Sequence, residues 1–142
     1  MTRALLGEAH KAVHQAEHLF TVIYPFTHDT KLLVAILANL QKANATALAF
    51  LAEQEGLKLS HQEMMEWLLQ DKRMPNDVLN AVIDLDGLMQ LQKDCPVEFI
   101  RKDRFVLCTD SYNVRTISSK EINYYLAKTK VFIEKTISIT AP

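Results

Sequence analysis

Apolar positions recur at steps of three and four along most of the chain, and at steps of two along one short stretch. That change of period predicts the architecture. Leu5, Ala9, Val13, Ala16, Phe20 and Ile23 form one apolar face over about Thr2 to Tyr24. Pro25 predicts the end of this helix, because the residue before a proline is pushed out of the helical region. A second helix follows "PFTHDT", with Asp29 or Thr27 placed to cap its first amides and Gly56 placed to stop it. At ~1.5 Å rise per residue it spans roughly 39 Å. Leu33, Ile36, Leu37, Leu40, Ala47 and Leu51 make its strong face. Val34, Ala38, Ala45, Ala49 and Ala52 make a second apolar face. A helix apolar on two sides needs cover on two sides, so it is expected either to lie centrally or to meet another subunit.

The third helix opens on "SHQE", the capping-box pattern of Ser60 and Glu63, with Leu59 and Met64 as its hydrophobic staple. Met65, Trp67, Leu68 and Leu69 supply apolar bulk before "DKRMP" ends it. The fourth helix runs from Pro75–Asn76 to about Lys93 on a face of Val78, Val82, Leu85 and Met89. Gly87 inside it predicts a bend or close packing, since Gly costs about 1 kcal/mol relative to Ala there. "PVEFIRKDRFVLCTDSYNVRTI" then alternates and is rich in Val, Phe and Ile, which predicts short strands over about 97–117. Lys102-Asp103 would turn the first pair, and "TDSYN" would turn again toward Val114–Ile117. The last helix restarts at "SSKE", a second capping box, on a face of Ile122, Tyr125, Leu126, Thr129, Phe132 and Ile133. The prediction is one domain over residues 1–142: a mainly α, antiparallel bundle of about five helices with a small β-hairpin inserted before the last.

Composition fits this picture. A chain of 142 residues, 49% hydrophobic, with three Gly and four Pro, has enough for one core and little material for long loops. Net charge is -1. That excludes bulk attraction to nucleic acid or to an anionic membrane. The distribution is uneven, with eight basic against five acidic residues after position 94 and eight against twelve up to and including it. Cys95 and Cys108 are too few for a disulfide scaffold or zinc cluster, and are expected as a half-buried, reduced pair. The first residues lack a signal-peptide pattern, and no uninterrupted apolar run reaches ~18 residues. The expectation is a soluble, cytoplasmic protein with no membrane contact and no cofactor.

Three groups of residues carry candidate chemistry. His10, His14, Glu17 and His18 fall on one arc of the first helix. An i, i+4 histidine pair can chelate zinc, with Glu17 as a further ligand and His28, Asp29, His61 or Glu63 as donors from elsewhere. The competing reading is a solvated or interfacial stripe. Arg101, Lys102 and Arg104 crowd a hairpin tip, Arg115 leads into the last helix, and Tyr124, Lys128 and Lys135 line that helix's back. Basic residues with an interleaved aromatic are the minimum for holding phosphates and stacking a base. "DLDG" at 84–87 opens like a calcium loop but lacks the remaining ligands.

Six residues separate Arg3 from His10, and the five-helix layout over Ala4 to Ile137 resembles the HEPN family of small helical bundles. That family includes dimeric ribonucleases with an R-x4-6-H motif. The resemblance implies Arg3 and His10 as cleavage residues. The family's nucleases, however, carry the motif toward the end of the bundle, where this chain has no histidine after His61. The implied relative is therefore a non-catalytic one. The segment "VEFIRKDRFVLCTDSYNVRTIS" followed by a helix also resembles small uncharacterised archaeal helical proteins. The leading expectation is a non-enzymatic interaction module, a homodimer joined through the alanine face of the second helix or the histidine side of the first, with a protein partner. A nucleic-acid binder or HEPN-type ribonuclease, and a metal-binding bundle, are the alternatives.

Overall fold

A computed structural model describes residues 2–29, 31–95, 97–101, 104–108 and 114–140, and their side chains except those of 2, 3 and 97–101. The chain is a helical bundle. Its elements run α1 (Thr2–His18), a π-helical turn (Leu19–Ile23), a short α2 (Tyr24–Thr27), α3 (Lys31–Gln54), α4 (His61–Asp71), α5 (Asn76–Asp94), three strands β1 (Val97–Arg101), β2 (Arg104–Cys108) and β3 (Val114–Ile117), and α6 (Ser119–Thr140). The predicted hairpin is an antiparallel three-stranded meander in the order β1-β2-β3. Both turns, Lys102-Asp103 and 109–113, lie outside the described residues.

The first helix does not stop at Pro25. Proline has no N–H to give and its ring crowds the carbonyl four residues back, here that of Thr21. The chain meets this with a wider turn: the Tyr24 amide bonds the Leu19 carbonyl five residues back. A π turn of this kind absorbs the misfit without ending the helix. The helix closes instead at His28, which is left-handed at φ 50° and donates its amide to the Tyr24 carbonyl.

α3 is the central helix, in contact with α1, α4, α5 and α6. All six residues of its predicted strong face are fully buried. Asp29 caps it by accepting the Lys31 amide at 3.0 Å. Against α1 the fit is small on small: Ala9, Ala12 and Ala16 meet a face that carries Ala43 and Ala47, and all five are buried. Side chains this short let two helix axes come close, so the seam gains dispersion contacts over its whole length. α3 is also long and apolar enough to cross a membrane by length and composition. Here much of that apolar surface is spent on the bundle.

The predicted faces of α5 and α6 are buried in full. In β2, Phe105 and Leu107 join the main core, and Val106 on the opposite face is buried too. Three consecutive buried residues mark β2 as the central strand, where alternation alone would predict one wet face. The Cys95 thiol donates to the Cys108 carbonyl at 2.6 Å, and both residues are half-buried. Gly87 is not at a close approach: a Cβ there would meet nothing within 4 Å, and α5 continues unbroken through it.

Candidate functional site

The start of α4 is fixed locally. The Ser60 hydroxyl accepts the Glu63 amide at 3.2 Å, and the Glu63 carboxylate accepts the Ser60 amide at 3.0 Å. That second bond is the first cause holding the Glu63 carboxyl below its ordinary range. The box sets His61 at the first helical position. There its Nε2 lies 2.7 Å from Asp86 Oδ2 of α5. Gln41 of α3 reaches the other oxygen, its Nε2 donating to Asp86 Oδ1 at 3.2 Å. One carboxylate thus ties together three helices.

This tie sits in an open groove of about 630 Å³ between α3, α4 and α5. Ala38 and Ala45 of α3 line it, with Met65 and Leu69 of α4 and Ile83 of α5. Leu69 and Ile83 stay 38% and 40% exposed, so the groove presents apolar surface to solvent. Lys42, Gln62, Glu66 and Gln90 complete its polar rim. No Ser, Thr or Cys is among the described lining residues. The His61–Asp86 pair has no hydroxyl or thiol beside it among these lining residues.

The five interface candidates of the second helix divide. Ala38 and Ala45 line the groove, Ala49 is exposed, Val34 is half-buried, and Ala52 is buried inside the bundle. Ala52 is therefore spent on the core and cannot meet a partner.

The histidine arc does not assemble a metal centre. Among the described residues no group of three or more His, Cys, Asp or Glu side chains can hold a metal ion. His10, His14 and His18 are exposed, and Glu17 is engaged by Lys130 of α6. The additional donors are engaged as well: His61 with Asp86, Glu63 in its box, and Asp29 at the α3 cap. His28 packs edge-on to Tyr24 with ring centres 6.0 Å apart. "DLDG" lies inside α5 and forms no loop. The Arg3 side chain lies outside the described residues.

Two cations of the basic set, Arg115 and Lys128, are paired with acids. Arg115 makes a two-point pair with Glu121, Nη1 donating to Oε1 at 3.1 Å and Nη2 to Oε2, and it also donates to the Thr116 carbonyl at 2.7 Å. The Glu121 pair is the first cause raising the Arg115 guanidinium above its ordinary range. Glu121 is thus committed to Arg115, a use its expected place in a capping box did not foresee. Lys128 donates to Asp77 at 2.6 Å and lies 5.7 Å from the centre of the Tyr124 ring. The shared hydrogen bond leads the causes that raise Lys128 and lower Asp77. Arg104 and Lys135 are exposed, and Tyr124 is 45% exposed. Arg101 and Lys102 lie outside the described side chains.

No protein-family profile, curated protein or solved structure matches the chain. Sequence reasoning missed Gln41, Asp86, Met65 and Ile83 as site residues. The available signal was a polar residue, Gln41, set among apolar positions on a helix already apolar on two sides.

Proposed function

We propose that the chain is a non-enzymatic interaction module that pairs with a second copy of itself through the open side of α3. The observation that carries this reading is the groove, whose apolar surface within a polar rim α4 and α5 leave uncovered. Along the same side Ala35, Ala38, Lys42, Ala45 and Ala49 follow one another at steps of three and four, all exposed or half-buried. That spacing is the seam of a helix pair, and its small side chains suit a close approach. The groove has room for about one helical turn at a helix diameter of ~10–12 Å. The charges agree. Lys42 has no acidic partner within its own chain among the described residues, nor has Glu66 a basic one. A two-fold pairing would give each Lys42 the partner's Glu66 as counter-charge.

Light scattering after gel filtration, at tens of micromolar, should return the dimer mass for the native chain. Ala45→Glu should return the monomer mass with an unchanged far-ultraviolet circular dichroism spectrum. A native monomer at that concentration would refute the pairing.

A further inference from the structure

The first helix holds a second feature that the proposed pairing does not use. Lys11, His14, Gln15 and His18 stand at i, i+3, i+4 and i+7, so they share one helical face. Together with Leu19 and with Asn39 of α3 they line a pocket of about 510 Å³ on the α1–α3 side of the bundle. Every polar residue in that lining is a nitrogen donor, and none is a carboxylate. Glu17, the acid of the histidine arc, is drawn off by Lys130 of α6. Among the described residues the side chains of Lys11, His14, Gln15 and His18 have no hydrogen-bond or ion-pair partner. Asn39 gives one of its two amide hydrogens to the Ala35 carbonyl at 3.1 Å and keeps the other.

This inventory decides between two ligands. A divalent cation needs negative or lone-pair donors, and here it would sit beside the Lys11 ammonium with Glu17 turned away. An oxyanion needs N–H donors and positive charge, and the pocket supplies both. A phosphoryl group offers these donors three terminal oxygens and close to two negative charges, against two oxygens and one charge for a carboxylate. The pocket falls in the range of small-molecule sites, about 300–1,000 Å³, and is larger than a bare phosphate needs. Leu19 supplies an apolar wall for the rest of the molecule.

We infer that this pocket binds a small phosphate monoester, with its phosphoryl oxygens held by Lys11, His14 and His18 and its organic part against Leu19. Lys11 contributes fixed charge. The two imidazoles each contribute a ring N–H as donor. Lys11, His14 and His18 are the titratable groups of the lining from α1, and α3 contributes none there.

The test is a nitrogen-detected NMR titration of the untagged chain, covering backbone amides and imidazoles. The probes are inorganic phosphate and phenyl phosphate, with ionic strength held by sodium chloride. Saturable shifts confined to Lys11, His14, Gln15, His18, Leu19 and Asn39 are expected, with phenyl phosphate the tighter probe. Lys11→Gln and His14→Gln should each weaken binding about tenfold, the loss of one charge-assisted bond. Lys58→Gln, which removes an exposed charge elsewhere, should leave it unchanged. Shifts that do not saturate, or that survive in Lys11→Gln, would overturn the assignment. So would zinc saturating the imidazoles at one equivalent while both phosphates fail.

Discussion

Two sides of α3 carry the same residue type and meet opposite fates. Toward α1, Ala43 and Ala47 are fully buried against a seam of other alanines. Toward α4 and α5, Ala38 is exposed and Ala45 half-buried at the edge of a groove. An alanine stripe therefore says that something can come close, and it does not say what. Within this chain the difference lies in the neighbouring helix. α1 offers the short side chains of Ala9, Ala12 and Ala16, all buried. α4 is only eleven residues long and stands off on Met65 and Leu69.

The largest way to break the contrast is to add the same volume to both sides. Ala47→Leu should cost about 2–3 kcal/mol in urea unfolding, since the closed seam has no space for it. Ala38→Leu should stay within about 0.5 kcal/mol, as a surface change does. Equal losses at the two sites would mean that the groove is closed in solution. A smaller effect tests how the open wall is held. Ser60→Ala removes the side-chain cap of α4 and should cost about 1 kcal/mol, with amide exchange quickening first at Glu63 and Met64. Smaller still is Gly87→Ala in the opposite wall. It should gain about 0.5–1 kcal/mol, because the helix is regular there and the added methyl meets nothing.

Acid should act at the helix starts of α4 and α5. The Glu63 and Asp77 carboxyls are held below their ordinary range by the Ser60 and Lys128 hydrogen bonds. A depressed carboxyl contributes stability above its unfolded pKa and loses it as pH falls through the folded value. Melting temperature should therefore drop on acidification below the ordinary carboxylate range, and more gently in Glu63→Gln. Identical slopes would remove Glu63 from the account.

What could be read from the sequence follows from the range of the interactions. The Ser60 box, the Asp29 cap, the faces of α5 and α6 and the switch to strands are set within a few residues, and the sequence displays them. The continuation of α1 past Pro25 was not legible, because the proline rule states a local preference and the π turn circumvents it. The groove was not legible either. Gln41 and Asp86 are 45 positions apart and meet only through packing. The same distance hid the fates of two cations: Lys128 finds Asp77 across 51 positions, and Lys130 takes Glu17 across 113. A count of basic residues had made the last helix look like a surface for phosphates, and its cations are partly spent on holding the bundle together. The histidine arc was visible from the start. Its place beside Asn39, and the removal of Glu17 from it, were not.

The π turn also sets how long the tip of the first helix stays closed. Beyond the turn, Tyr24 to Thr27 form a single helical turn, set off by the proline from the regular hydrogen-bond ladder of α1. A segment so short cannot hold itself by its own backbone bonds. Its lifetime is therefore governed by the Tyr24 ring, which is buried and stacked near Phe20 at 6.4 Å. Phe26, at 88% exposure, contributes nothing to that anchorage. The tip should thus open and close on its own clock while the seam behind it stays shut, and the rate of that clock depends on one aromatic side chain.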